Sequence, residues 1–329
     1  MMQKKFLLLV LKRLLYAVAV LIMMVCFVFI LLRIAPGDPT LKFVSPQLSP
    51  ELAHRVKESF GLNRSVPEQF IQFAANIFSG NFGVSYNFRL PVTEVIKNHL
   101  PFTIIFALIC FIFQIGIGYA LSLISIRKIN GVIDKTLGRT SLVLYALPSF
   151  FTGVFLIYVF SEKLKLLPAS GLSSFGTESM SFAEKVGDYI LHMILPVITL
   201  SLGGIAVFYK YLRDNLEEVL NKQFVLTLKS YGMTDKEIIK KHVIPNALSP
   251  LISVAGVELG ILFSGALITE VIFGLPGMGS LTVNAILTRD YPLVVGCVFI
   301  SGLLIIISNL LADLLKARID KRTFGEQLN

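Results

Sequence analysis

Charge is unevenly placed along this chain. Five runs contain no Asp, Glu, Lys or Arg: residues 14–32, 100–126, 140–160, 189–209 and 291–312. A sixth, 247–269, is interrupted only by Glu258. A helix that crosses the hydrocarbon core of a bilayer needs about 20 largely apolar residues. The pattern therefore predicts an all-α integral membrane protein with six transmembrane helices. Lys4, Lys5, Lys12 and Arg13 precede the first run, as in a signal peptide. That run is longer than a signal core, and Arg33-Ile-Ala-Pro36-Gly37-Asp38-Pro39 follows it in place of small cleavage-site residues. It is expected to stay as an anchor.

Six spans put both termini on one side. If that side is the cytoplasm, the inner segments 1–13, 126–139, 210–246 and 316–329 hold 19 of the 30 Lys and Arg residues. The longer outer segments 33–98, 161–188 and 270–290 hold the other 11. The positive-inside rule then makes both termini cytoplasmic. The chain divides into a tail and first helix (1–33), a small extracytoplasmic cap (34–98) and a five-helix core (99–329) with a cytoplasmic loop at 210–246. The cap is expected to hold a turn at Pro36-Gly37 and amphipathic helices over 50–60 and 66–78, too little for a catalytic domain.

Composition agrees. Hydrophobic residues make up 54%, charged residues 16%, and mean hydropathy is +0.75. A disordered chain, a disulfide scaffold and most soluble enzymes are excluded. The net charge of +9 is spread over several loops, which argues against nucleic acid as a partner. Cys26, Cys110 and Cys297 lie inside apolar runs and read as small core residues, with no metal-ligand spacing around them. No Gly is followed by Lys, so the chain has no phosphate-binding P-loop.

The loop at 210–246 reads as helix, break, helix. Gly232 suits a left-handed helix stop, and Thr234 with Glu237 forms a capping box that starts a second helix. Pro245 disfavours helical geometry at Ile244, which predicts a corner before the chain re-enters the membrane at Asn246. The apolar residues Phe224, Leu228, Ile238 and Ile239 need a surface, either the chain's own helix ends or a cytoplasmic partner.

Within the spans, Glu258 stands out, because a charge at mid-span costs about 2.5–3.5 kcal/mol on insertion scales. It is expected either to meet a cationic part of a solute in an aqueous path or to be a protonated or interfacial carboxyl that stabilises packing. Ser249, Ser253, Gly256, Gly260 and Ser264 form a small-residue face for helix packing or for a seam with a second subunit. Asp313 is expected to pair with Lys316 or Arg318, and Gln114 to make a helix contact. His99 and His192 are read as interfacial. Pro148, Pro196 and Pro292 are placed near span entries. The segment 270–289 is read as an ordered loop over the external mouth that buries Val271, Phe273, Leu275 and Met278.

At this point the chain resembles a family. Gly232, followed by Lys241-His242-x-x-Pro245-Asn246-Ala247-Leu248, is similar to the signature loop of permease subunits of binding-protein-dependent ABC importers, in the form of the dipeptide, oligopeptide and nickel branch. The resemblance continues in Arg13 and the segment from Arg33 to Pro39; in Phe60-Gly61-Leu62 with Pro67 and Gln69; and in Asn81-Phe82-Gly83-x-Ser85-Tyr86. Further on it takes in Leu147-Pro148-Ser149-Phe150 and Leu167-Pro168-Ala169-Ser170-Gly171. It ends with Glu270-x-x-Phe273-x-x-Pro276-Gly277-x-Gly279, Arg289-Asp290-Tyr291-Pro292, and Asn309 with Asp313. The chain departs from the family in the bulk of Leu228 and Tyr231, in Asp320-Lys321-Arg322, and in an acid at Glu258 where an amide is commoner.

The resemblance implies a type I ABC importer-like permease fold in a bacterial or archaeal cytoplasmic membrane. It implies an ATPase-coupling loop carried by Lys229, Gly232, Thr234, Glu237, Lys241, His242 and Asn246. It also implies a pathway helix with Glu258, Ser253, Gly256, Gly260 and Ser264. The implied partners are a second homologous permease subunit, two cytoplasmic ATPase subunits that hold ATP and Mg, an extracytoplasmic solute-binding protein and membrane lipid. The chain itself would bind no cofactor and catalyse nothing. Short peptides are the expected cargo, with nickel or a metal chelate as the alternative. A different class, an ion-gradient-driven secondary transporter, would need inverted repeats, and none is visible.

Overall fold

The computed structural model describes residues 2–34, 65–264 and 267–319. The expected turn at Pro36-Gly37, the expected helix over 50–60, the Phe60-Gly61-Leu62 motif and Asp320-Lys321-Arg322 lie outside these residues.

The described chain is helical throughout its spans. Helix α1 is Met2–Ile34. Helix α2, Val66–Phe78, matches the expected cap helix and starts at Ser65, whose N–H donates to the Glu68 carboxylate at 3.0 Å, with Pro67 in the first turn. Helix α3, Val92–Ser125, contains the second apolar run. Helices α1 and α3 are each long and apolar enough to cross a bilayer, as are Phe182–Leu220, the run Asp235–Ile272 and Tyr291–Ile319.

The third apolar run is not one straight helix. It forms α4, Val132–Ala146, and α5, Ser149–Leu156, which widens into π-helical turns over Ile157–Lys163. The two are bent by 99°, and together they make the sixth candidate crossing. The cause is local. Pro148 lacks an N–H and pushes Leu147 into extended geometry (φ −74°, ψ 125°), so the ladder stops and restarts at Ser149. Pro292 likewise opens the last helix. Pro196, expected near a span entry, lies inside its helix, which runs through it.

Helix α6, Phe182–Leu220, has 39 residues and is about 58 Å long at 1.5 Å per residue. It passes well beyond a 30 Å hydrocarbon core. The first part of the expected cytoplasmic loop is thus a continuation of span 4. Helix α3 packs along α6. As expected, Gln114 makes a helix contact: its amide donates to the Leu200 carbonyl at 3.2 Å. Ser122 donates to the Tyr209 carbonyl at 3.0 Å.

The remaining elements are α7 (Gln223–Ser230), α8 (Asp235–Ile238), α9 (Ile244–Phe263), α10 (Leu267–Ile272), α11 (Met278–Leu287) and α12 (Tyr291–Ile319). Helix α9 packs on α12, and α12 on α1. One expectation about this region needs correction. Asp313 pairs with Arg13 on α1 at 3.0 Å rather than with Lys316 or Arg318, because packing of α1 on α12 brings the two opposite charges together. Lys316 instead donates to the Ser253 hydroxyl on α9 at 3.1 Å.

A buried ionic cluster fixes the cytoplasmic ends of α3, α4 and α6. The Arg213 guanidinium grips Asp134 with Nε at 3.0 Å and Nη2 at 2.7 Å, and also contacts Glu217. The same carboxylate accepts from the Ser125 hydroxyl and from the Asn130 N–H at 2.8 Å. Both members of the pair are nearly shielded from solvent, so removing one strands the other. Asp134→Ala is expected to destabilise the protein by about 3 kcal/mol, the low end for a broken buried pair because Glu217 remains. A thermal unfolding midpoint in detergent equal to that of the wild type would contradict this.

Candidate functional site

The cytoplasmic loop has a buried underside and an exposed top. Val225 on α7, Ile238 on α8 and Val243 are buried against Leu212, Leu216 and Val219 of α6 and Ala247 and Leu251 of α9. Phe224, Leu228 and Ile239 pack at the edge of this cluster. The turn between α7 and α8 is made by Gly232 at φ +81°, the left-handed geometry expected of it. The Thr234 hydroxyl accepts from the Glu237 N–H, and Glu237 in turn takes Lys241 at 3.3 Å. Lys229 is tied to Asp235 at 2.9 Å.

The expected corner at Ile244 is absent. Ile239–Val243 forms a π-helical stretch that runs directly into α9, with Ile244 helical at φ −57°, ψ −51°. A wider turn ahead of Pro245 accommodates a residue that has no N–H to give the ladder, so the proline lies in the first turn of α9 rather than ending the helix. Asn246 holds the junction by donating to the His242 carbonyl at 2.6 Å. The loop and the span therefore form one helical path.

Lys229, Gly232, Thr234, Glu237, Lys241 and Asn246 are exposed, and His242 is half-buried. The loop also presents two apolar side chains that the motif comparison did not select: Leu226 is 62% exposed and Tyr231 80%. Tyr231 entered only as a departure in bulk. Leu226 is one of several leucines, and only the orientation of α7 sets it apart.

The small-residue face of α9 divides. Gly256 and Gly260 lie against α12 of the same chain: a Cβ on Gly256 would run into Ala312, and one on Gly260 would meet Ile305 at 3.4 Å. Close approach to α12 accounts for both glycines, so they are packing residues and not lining ones. The Ser264 hydroxyl donates to the Ile261 carbonyl at 2.7 Å. Glu258 faces a cavity of about 690 Å³ between α4, α6 and α9, which Ser253 also lines while accepting from Lys316 of α12. Tyr145, Tyr211, Val257 and Lys210 also line it.

The outer segment is ordered around two buried acids. Glu270 is fully buried, accepts from the Thr103 hydroxyl at 3.1 Å and from the Ser280 N–H at 2.9 Å, and so covers the first turn of α11. A Cβ at Gly277 would collide with this carboxylate, and one at Gly279 would sit 2.7 Å from it. This geometry gives the Glu270-to-Gly279 motif its spacing. Phe273, Leu275 and Met278 are buried as expected, whereas Val271 is 47% exposed. Asp290, also fully buried, accepts from the Ser85 hydroxyl at 2.5 Å and the Asn87 N–H at 3.0 Å, which ties the cap to the start of α12. Burial and the Asp290 carboxylate push the nearby Tyr86 phenol up to about 12, so it stays neutral. His99 and His192 bond backbone carbonyls of their own helices, each at 2.8 Å, and His192 is buried. Among the described residues no group of His, Cys, Asp and Glu is arranged to hold a metal ion.

Comparison with known proteins agrees with this architecture. Residues 114–325 match the model of the binding-protein-dependent transport system inner membrane component, and residues 5–107 match that of the N-terminal part of such membrane components. A probable peptide ABC transporter permease protein of Sinorhizobium fredii is 33% identical over 95% of this chain and 98% of its own length. The oligopeptide transport system permease protein AppB of Bacillus subtilis is 31% identical over 95% of this chain and 98% of its own length. Among solved structures, the inward-facing MetNI methionine ABC transporter aligns with TM-score 0.52 at 13% identity, over 69% of this chain and 97% of that one. That last likeness concerns the fold.

Replacing the buried acid tests the outer clasp. Glu270→Ala leaves the Thr103 hydroxyl and the Ser280 amide without their acceptor, at a cost of about 2 kcal/mol. Limited proteolysis from the outer side is expected to cut the segment between α9 and α12 faster than in wild type. An unchanged cutting rate and an unchanged unfolding midpoint would remove Glu270 from this role.

Proposed function

Because the chain belongs to the family of inner-membrane components of binding-protein-dependent transport systems, we propose that it forms half of a translocation pathway for short peptides. As a family member it is a multi-pass inner-membrane permease of an ABC importer and not an enzyme. ATP is hydrolysed in partner subunits, and a solute-binding protein completes the system. An ion gradient is therefore not the driver.

Peptide cargo is supported by relatives that match nearly the whole chain and carry peptide or oligopeptide transport in their names. None of these is named for nickel, so that alternative has no support among them. The other half of the pathway is assigned to a second, homologous permease, and the motor to two ATPase subunits.

The observation that carries the mechanism is the unbroken helical path from α8 through Ile239–Val243 into α9. A push on the exposed top of the loop has no hinge at Pro245 in which to dissipate. It moves α9, which bears Ser253 and Glu258 on the cavity, against α6 and α12. Lys229, Gly232, Thr234, Glu237, Lys241, His242 and Asn246 serve this movement by shaping the loop: the left-handed turn, the cap on α8, the two surface ion pairs and the clamp on the His242 carbonyl. Leu226 and Tyr231 supply apolar area for an ATPase surface, since such exposed side chains gain most from burial in a partner.

Substituting both, Leu226→Asp with Tyr231→Asp, leaves the buried underside intact and places charge in the contact. Co-purification of the ATPase subunits is expected to fall at least about tenfold, a loss of roughly 1.4 kcal/mol or more in association, and ATP-dependent peptide uptake to fall with it. Undiminished co-purification together with undiminished uptake would refute the docking role.

A further inference from the structure

The carboxylate of Glu258 has no partner among the described residues. It makes no hydrogen bond or ion pair with any described residue, and it lines the cavity between α4, α6 and α9. It lies fourteen residues into α9, about 21 Å from the cytoplasmic end of that helix at 1.5 Å per residue, at the centre of the apolar run 247–269. The two lysines at the cavity bond groups other than Glu258. Lys210 is held by Asp214 at 2.9 Å, and Lys316 donates to Ser253 at 3.1 Å. To be ionised at that depth a carboxylate needs a counter-charge, and none of the described residues supplies one.

Two sources are available, a side chain of an adjoining subunit or a passing solute. The space favours the solute. A volume of about 690 Å³ in front of Glu258 is the size of a small-molecule site and far more than one incoming side chain fills. The lining is also of the kind that receives a ligand, mostly apolar with few polar groups. Its two tyrosine rings, Tyr145 and Tyr211, add surfaces that attract a cation.

We propose that this cavity is a transit site for the ammonium group of the cargo, with Glu258 as its anionic ligand. The proposal rests on the peptide reading above and adds to it the chemical group that the pathway recognises. A single carboxylate in an open cavity holds an ammonium weakly, as a site that must release its occupant on each cycle requires.

The test reads occupancy at the cavity itself. Val257 is 52% exposed and lines the cavity beside Glu258, so Val257→Cys offers a reporter thiol. Cys110 and Cys297 are buried, and Cys26→Ala removes the remaining, half-buried cysteine. The complete complex, with its partner permease and ATPases, is labelled with a membrane-permeant maleimide in the presence of trialanine or N-acetyl-trialanine. The free-amine peptide is expected to protect the thiol at a concentration at least about tenfold lower than the acetylated one. Glu258→Gln is expected to abolish that difference. Glu258→Asp, which keeps the charge, is expected to retain it.

Equal protection by the two peptides in the wild-type background overturns the proposal. So does a difference that survives Glu258→Gln, or an absence of protection by either peptide. ATP-driven uptake of trialanine delivered by the binding protein, measured on the same complex, separates the two readings. Uptake without ammonium-selective protection sinks the transit site alone, and absence of uptake sinks the peptide reading with it.

Discussion

Helix α6 is the rigid spine on which the other parts depend. In its outer half Thr199 packs beside Gly153 of α5, close to Phe273 of the outer segment. In the middle it lies on α3 and offers Val207 and Lys210 to the cavity. At its cytoplasmic end Leu212, Leu216 and Val219 form the floor on which α7 and α8 rest. Helix α6 stays helical through Pro196, which has no N–H to give its ladder, and is held by its packed faces and by the Asp134–Arg213 pair, which locks α4 to it at the inner side.

Against that spine lies α9, the element that the proposed coupling sets in motion. Its inner end is fused to α8 through a π-helical stretch, and its back is set on α12 through Gly256 and Gly260. Glycines at a helix contact remove the side chains that would hold the helices apart, so the two backbones lie close. One face of α9 is thereby joined to the loop, one to α12, and one, with Ser253 and Glu258, is left to the cavity.

Acids are used in two opposite ways in this chain. Glu270 and Asp290 are fully buried, and hydroxyl and backbone N–H donors meet both, so they order the outer segment as internal caps. Glu258 is only half-buried and has no such donors among the described residues. A satisfied buried acid fixes structure, whereas an unsatisfied one facing open space awaits a charge.

The sequence by itself determined the all-helical membrane class, the apolar runs, the cap helix Val66–Phe78, the left-handed turn at Gly232 and the burial of Phe273, Leu275 and Met278. These are set by local quantities: hydropathy, caps, and the conformational limits of single residues. Three matters were decided only by tertiary packing. The first is the partner of Asp313, since an ion pair between α1 and α12 joins residues far apart in the chain and a nearer lysine is no better placed. The second is the absence of a corner at Pro245, because buried Val243 and Ala247 hold the chain helical where the proline's local preference would have broken it. The third is the division of α9 into a packing face and a cavity face. The spacing of Ser253, Gly256, Glu258 and Gly260 is the same whichever way the helix turns, and only its neighbours fix the rotation.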